Sequence, residues 1–442
     1  MEKIGIIKSK KLVLPKKSSK KNLNSHFWFE QGGKKYMFKY ALDDEYNGRS
    51  FLNEMLISQM CKFIGLPCQE AKLARYTHGN VEGVKIRSFL KEGEREVSMN
   101  DILKEKCDSL LVESFGKNFL EYYIYPYIPK TQKEVAALRK KNLHTSAGIE
   151  AVDGKFPTQI SLEDIELDSQ NKIRLLFDIY VERESPAANK LFGEKVINAI
   201  CNRIFLINRI NTDYNELQSI ESLTNLAQEY ASVHGYTLAQ NLEEQLAQML
   251  IFDFVVAQTD RHLGNISLIL SGNTLRLAPL FDNGHCLVLK RHFVVHDKLN
   301  YYRTKITPEL LKKPITLKTI ANLDDFLNVQ YDNFVAHLLK NAPELLELAP
   351  HYKENFEKSV NGRLKKYTTH SNDSFATDED GINAILNGNI EWLANNGIEY
   401  TPELWLKTYL FASKQLMRDH IDELKYMYHK VNDNRFADLF QR

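Results

Sequence analysis

Three residues with oxygen donors mark the most informative part of this sequence. Asn265 follows Asp260 by five positions, and Asp282 lies a further seventeen positions along the chain. Carboxylate and amide oxygens suit Mg²⁺, which keeps phosphate oxygens and water as its other ligands. This set predicts phosphoryl transfer, in which Asp260 accepts the proton of an acceptor hydroxyl or orients that hydroxyl, while Asn265 and Asp282 hold the metal.

A β-hairpin is predicted between the two metal candidates. Its strands are Ile266–Leu270 and Thr274–Ala278, joined around Ser271-Gly272-Asn273. Neighbouring strands lie about 5 Å apart. Because Asn265 and Asp282 flank the open ends of the hairpin, both side chains can reach one cation.

A helix is predicted immediately before the catalytic loop and should deliver Asp260 to it. Its apolar stripe consists of Leu238, Leu242, Leu246, Met249 and Leu250. His262, two residues after Asp260, has three alternative roles: it orients Asp260, acts as a base, or packs as a hydrogen-bonded core residue.

The N-terminal part supplies a candidate cation for nucleotide phosphates. Two aromatic runs, His26–Glu30 and Lys35–Tyr40, flank Gly32-Gly33 and predict a second hairpin. Lys39 lies in the second run, where a buried lysine is costly unless it is paired. The helix predicted from Arg49 to Ile64 offers Glu54 as the partner, although a solvent-facing lysine is the alternative.

The phosphate-binding loop is harder to find, because the sequence contains neither common glycine-rich phosphate motif. The candidate is Lys16–Asn22, in which Ser18, Ser19 and backbone N–H groups could cradle phosphates. The alternative is a solvated basic arm, since the first 21 residues carry eight lysines and one acidic residue.

Composition narrows the class of protein. The 442 residues are 43% hydrophobic and 26% charged, which is typical of a globular protein with two or three structural units. Because the net charge is +1, we expect no direct binding to nucleic acid. The five cysteines form no C-x-x-C pair, and no membrane span or signal peptide is apparent, so a cytoplasmic location is expected. Delivery into another cell by a specialised secretion system stays open.

The sequence resembles a known family at several motifs. The run Asp260–Asn265, together with Leu277–Gly284, is similar to HipA-like serine/threonine kinases, in particular the CtkA-like branch. Asn53-Glu54 and Ile64–Cys68 fit the family's helix after the nucleotide lysine. The segment ending in Ser88-Phe89-Leu90 fits the approach to its hinge.

This resemblance implies an α+β, two-lobed protein-kinase-like fold with ATP and Mg²⁺ in the cleft. A small β-rich N-lobe would span residues 1–95 and a larger helical C-lobe residues 96–370, with an insertion around 101–235. A C-terminal helical appendage would cover 371–442. The resemblance makes Lys39 a phosphate contact and Asp260 the catalytic aspartate, and Ser18 or Ser19 would match a phosphate-loop serine that can be autophosphorylated.

The resemblance also bears on the substrate and on partners. It implies a protein substrate. Whether the protein also has an antitoxin-like or regulatory partner is left open. A phosphoinositide kinase is the main alternative, because Asp282-Asn283-Gly284-His285 is similar to a motif of those enzymes. A non-catalytic nucleotide-binding module is the second alternative.

Overall fold

The protein has a mixed α+β fold with two small sheets and many helices. The computed structural model describes residues 5–7, 25–40, 48–76, 81–115, 219–287, 292–340 and 378–432. Two features predicted from the sequence lie wholly or largely outside these residues: the basic loop Lys16–Asn22 and, within the insertion around 101–235, residues 116–218. Within the described residues, no helix is long and apolar enough to cross a membrane.

The first sheet carries the candidate nucleotide lysine. Its five strands are β1 (Gly5–Ile7), β2 (Ser25–Gln31), β3 (Lys34–Tyr40), β4 (Ala71–Tyr76) and β5 (Val81–Arg87), in the spatial order β1-β4-β5-β3-β2. β1 pairs with β4 in parallel, and the other neighbours are antiparallel. The β2–β3 hairpin confirms the prediction, and Gly32 and Gly33 supply its turn with positive φ angles of 58° and 68°.

Helix α1 (Gly48–Ile64) confirms the helix predicted beside this sheet. It ends where expected, because Gly65 adopts a φ of 69° and the N–H of Leu66 donates to the Cys61 carbonyl over 2.9 Å. The helix packs on β4 and β5, with buried residues such as Leu52 and Leu56 facing Leu73 and Val84 of the same core. Glu54 therefore lies close to the sheet that contains Lys39.

The second sheet positions the loop that contains Asp260. Its strands are β6 (Arg95–Ser98), β7 (Thr237–Leu238), β8 (Ser267–Ser271) and β9 (Thr274–Leu277), in the order β6-β8-β9-β7. The β8–β9 hairpin confirms the prediction. The prediction that Leu238 belongs to the helix before Asp260 was wrong. Leu238 lies in β7 and pairs with Leu275 of β9. The helix before β7 ends at Gly235, which has a φ of 67°.

Helices form the rest of the described chain. They are α2 (Met99–Phe115), α3 (Ile220–His234), α4 (Leu242–Val255), α5 (His292–Lys305), α6 (Pro308–Lys312), α7 (Pro314–Asp325), α8 (Tyr331–Lys340), α9 (Glu379–Leu386), α10 (Ile390–Asn395) and α11 (Pro402–Asn432). A 3₁₀ turn covers Leu263–Asn265, and a π-helical turn, Phe326–Gln330, joins α7 to α8.

The long C-terminal helix α11 lies inside the fold rather than at its margin. Trp405, Tyr409 and Phe411 are each at most 1% exposed and share one hydrophobic core with residues of α1 and α4. Thr401 caps the start of the helix, because its hydroxyl accepts the N–H of Leu404 over 3.1 Å. Its burial means that α11 contributes directly to the packing around the site described below.

Candidate active site

Lys39 forms an ion pair with two carboxylates from different parts of the chain. Its Nζ lies 3.2 Å from Glu54 Oε1 and 2.6 Å from Asp282 Oδ1. The contact with Glu54 is the pairing expected from the sequence. The contact with Asp282 joins the first sheet to the segment after β9, so the three charged groups meet at one place.

Lys39 stabilises the charge of each carboxylate, whereas burial and the charge of Asp282 keep the pKa of Glu54 above its ordinary value. Burial alone lowers the pKa of Lys39, but the carboxylates of Glu54 and Asp282 outweigh it and raise that pKa above its ordinary value. Burial acts to raise the pKa of Asp282, yet the charge of Lys39 and its hydrogen bond lower it to about 2. At neutral pH the lysine is therefore a cation and Asp282 is a carboxylate.

The position of Lys39 depends on a glycine in the neighbouring strand. A Cβ atom on Gly83 would lie 2.3 Å from the Lys39 carbonyl oxygen and about 3 Å from the Phe38 ring. We expect Gly83→Ala to push β3 away from β5, because the clash involves backbone rather than a flexible side chain. The substitution should lower the thermal midpoint by several degrees and weaken nucleotide binding. Gly33→Ala is a suitable comparison, because it strains only an exposed turn and should lower stability without changing nucleotide binding.

The amide of Gln258 links the candidate catalytic residue to the candidate metal ligand. Its Oε1 accepts the N–H of Asp260 over 2.9 Å, and its Nε2 donates to the carbonyl of Asp282 over 3.3 Å. Helix α4 lies just before the Asp260 loop, as predicted. It ends at Val255, and Ala257 then turns the chain with a φ of 52°. Gln258 then spans the gap between the two loop segments.

Asp260 is the accessible carboxylate of the site. Its side chain is 43% exposed, so a bound molecule could reach it. His285 Nε2 lies 3.9 Å from Asp260 Oδ2, and the His285 carbonyl accepts hydrogen bonds from both the N–H and the hydroxyl of Thr259. The loop that follows Asp282 therefore also fixes the backbone next to Asp260.

The structure brings the Asn265 and Asp282 segments together through a buried arginine. Arg261 Nη1 donates to the carbonyl of Asn265 over 3.2 Å and to that of Phe281 over 2.8 Å. The side chain of Asn265 is oriented as well, because its Nδ2 donates to the Asp260 carbonyl over 2.9 Å. This leaves the amide oxygen as the donor atom for a cation.

Arg261 is itself held by a buried carboxylate that the sequence analysis did not identify. Asp253 in α4 accepts from Arg261 Nε at 2.8 Å and from Nη2 at 3.0 Å, and both residues are at most 3% exposed. Arg261 Nη2 also donates to Asn283 Oδ1 over 2.9 Å. The only signal in the sequence was an Asp and an Arg eight residues apart, and an intervening turn is needed to bring them together.

Asn53 is a second residue that the sequence analysis did not assign to the site. It is 1% exposed, and its Nδ2 donates to the carbonyls of Gly284 at 3.2 Å and Cys286 at 2.7 Å. The adjacent Glu54 accepts the N–H of Asn283 over 3.0 Å through Oε2. Helix α1 thus holds both Lys39 and the backbone of the loop after Asp282.

Asp282 adopts an uncommon backbone conformation, with a φ of 54°. Asp, Asn and Gly enter this left-handed region more easily than other residues. The conformation is held by contacts on both sides, since Gln258 binds the carbonyl of Asp282 and Glu54 binds the next N–H group.

The remaining predicted site residues have varied positions. His262 is exposed, and its Nδ1 accepts the N–H of Gly264 over 3.0 Å, so it caps the 3₁₀ turn and is not a core residue. Ser88, Phe89 and Leu90 follow β5: the Ser88 N–H donates to the Lys35 carbonyl, and the Phe89 ring packs 5.9 Å from that of Phe281. Ser18 and Ser19 lie outside the described residues.

The donor set fits a magnesium ion shared with phosphates. Asn265 contributes an amide oxygen and Asp282 a carboxylate, which are hard donors, and a phosphate-bound Mg²⁺ needs few protein ligands. In the described part of the chain, no group of three or more His, Cys, Asp or Glu side chains could hold a metal ion alone.

Comparison with known proteins supports the family resemblance found in the motifs. Residues 203–340 match the model of the HipA-like C-terminal domain, which confirms the resemblance to HipA-like kinases. The matched segment contains Asp260, Asn265 and Asp282, whereas Lys39 and Glu54 lie before it. The search of curated proteins found no match.

One of the solved structures that match aligns with most of this chain. It is a Helicobacter pylori proinflammatory kinase, CtkA, with 13% sequence identity and a TM-score of 0.28. The alignment covers 94% of this chain and 94% of that chain.

Proposed function

We propose that this protein is an ATP- and Mg²⁺-dependent serine/threonine protein kinase of the HipA-like type, with a two-lobed arrangement around the site. The observation that carries the proposal is the contact of Lys39 with both Glu54 and Asp282. A buried lysine held between a helix glutamate and a metal-binding aspartate is the arrangement that protein kinases use for nucleotide phosphates.

Each residue then has a distinct task. Lys39 provides positive charge for the phosphates, and Glu54 keeps it in place. Asn265 and Asp282 would hold the metal, which would neutralise the charge that develops on the transferred phosphoryl group. Asp260 accepts the proton of the acceptor hydroxyl or orients it, and its exposure leaves room for that substrate.

A substitution of Lys39 tests its proposed contact with the nucleotide phosphates. We expect Lys39→Met to lower kcat/KM for ATP by about 100-fold or more, because a buried charge-assisted contact to phosphate is lost. Lys35→Met is the matched control: it changes a lysine in the same strand that lies 4.8 Å above the Trp28 ring. Steady-state kinetics with varied ATP should show a near-normal value for the control. Equal effects of the two substitutions would remove Lys39 from the site.

A transfer assay tests the proposed function directly. Purified protein is incubated with γ-labelled ATP, Mg²⁺, a generic protein acceptor and phosphatidylinositol vesicles. Label in protein, including the enzyme itself, is the expected result, and phosphoamino-acid analysis should find phosphoserine or phosphothreonine. Label in lipid alone would indicate a phosphoinositide kinase. Tight nucleotide binding without any transfer would indicate a non-catalytic module.

A further inference from the structure

The C-terminal helix α11 contacts the candidate site through a buried tyrosine. Tyr409 is fully buried, and its hydroxyl donates to Asn53 Oδ1 over 2.6 Å. Burial raises the pKa of Tyr409 well above its ordinary value, so the hydroxyl keeps its proton and remains a donor at physiological pH.

This contact determines which way the Asn53 amide faces. Because Oδ1 accepts from Tyr409, Nδ2 points to the opposite side, where it binds the carbonyls of Gly284 and Cys286. These carbonyls belong to the loop that begins at Asp282. Hydrogen bonds therefore connect α11, through Asn53 of α1, to the loop that carries the candidate metal ligand Asp282.

Eleven residues after Tyr409, the same helix contacts the end of α4, the helix that precedes Asp260. His420 is 5% exposed, and its Nδ1 lies 3.0 Å from the Val255 carbonyl at the end of α4. Since a carbonyl can only accept, Nδ1 carries the proton. Burial lowers the pKa of His420, so the ring is neutral. Val255 is the last helical residue before the turn that leads to Asp260.

We propose that Tyr409 is a positioning residue for phosphoryl transfer, and that α11 is a required part of the active site. The helix fixes α1 through Asn53 and the end of α4 through His420, so it sets the distance between the Lys39 side of the site and the Asp260 side. This inference rests on the proposed function for its catalytic consequence. The structural claim, that α11 holds the Asp282–Leu287 loop in position, does not depend on that function.

The expected effect is selective. Replacing Tyr409 by Phe leaves the ring and its packing in place but deprives Asn53 Oδ1 of its donor. The amide can then rotate, and the Gly284 and Cys286 carbonyls lose their common donor for part of the time. We expect kcat to fall by about tenfold, with little change in the KM of the protein acceptor, which has no contact with this network.

Tyr331→Phe is the matched control. Tyr331 is also buried, and its hydroxyl donates to the Leu410 carbonyl of the same helix over 2.7 Å, but that bond does not lead to Asn53. Each substitution removes one buried tyrosine hydroxyl, from α11 at Tyr409 and from α8 at Tyr331, where that hydroxyl contacts α11, and the two should lower the thermal midpoint by similar amounts. They should differ in kcat.

Hydrogen exchange provides a readout that does not need activity. The N–H of Asn283 is bonded to Glu54, and that of Leu287 to the Val256 carbonyl. In Tyr409→Phe, exchange in peptides covering 282–287 should be severalfold faster than in wild type, whereas Tyr331→Phe should leave these peptides unchanged.

The outcomes separate the inference from the proposed function. If wild type transfers phosphate, equal kcat values for the two variants overturn the role of Tyr409, whatever the exchange result. If wild type transfers none, the proposed function fails, and the exchange comparison alone decides whether α11 controls the loop. Equal exchange at 282–287 in both variants overturns the inference in either case.

Discussion

Asp260→Asn should reduce phosphoryl transfer by a factor of about 10² to 10⁴ while leaving nucleotide binding almost unchanged. The amide has nearly the same shape as the carboxylate but cannot accept a proton, and general-base catalysis contributes an effect of that size. Nucleotide binding is assigned to Lys39 and to a metal held by Asn265 and Asp282, and the substitution changes none of these residues. Single-turnover transfer and the dissociation constant for ATP are the measurements.

A neighbouring substitution controls for damage to the loop. Thr259→Val removes the hydroxyl that donates to the His285 carbonyl but keeps the backbone hydrogen bond to the same atom. We expect this variant to lose less than tenfold in transfer rate. Near-wild-type turnover of Asp260→Asn would show that another group acts on the acceptor hydroxyl.

Arg261→Met should have the largest effect on stability, a loss of about 3–5 kcal/mol in the free energy of unfolding. The substitution leaves Asp253 buried without its bidentate partner and removes the donor shared by the Asn265 and Phe281 carbonyls. Chemical denaturation measures the loss, and transfer activity should disappear with the alignment of the two segments.

The partly exposed pair between Arg303 and Glu423 provides the comparison. Arg303→Met should cost about 1 kcal/mol or less, since water solvates the remaining glutamate. The double variant Asp253→Leu, Arg261→Met should regain part of the stability, because no unpaired charge stays buried, yet it should not regain activity. Equal losses for Arg261→Met and Arg303→Met would contradict the central position given to Arg261.

Much of the local structure could be predicted, because it depends on short-range patterns. The aromatic runs around Gly32-Gly33 contain both the strand propensity and the turn residues, so the β2–β3 hairpin follows from about 16 residues of sequence. The same holds for α1 with its final Gly65 and for the hairpin after Asn265. Pairing of Lys39 with Glu54 was also predictable, since a buried lysine needs a partner and α1 was the next element.

The parts that could not be predicted depend on contacts between distant segments. Asn53 and Tyr409 are 356 positions apart, and neither belongs to a local pattern that indicates a buried hydrogen bond. Gln258 and Arg261 lie next to the Asp260 motif, but their partners come from the loop after β9. The error at Leu238 has a local cause, because a two-residue strand followed by a helix reads as continuous apolar spacing.

The left-handed conformation of Asp282 has a consequence for how this position can vary. Any replacement must satisfy the backbone as well as the chemistry, and few amino acids satisfy both. Glycine accepts the conformation but offers no oxygen ligand, asparagine accepts it without the negative charge, and glutamate has the charge but a poorer fit to the backbone. Aspartate alone meets each requirement, so random substitution at this codon should yield almost no active variants, even among proteins that still fold.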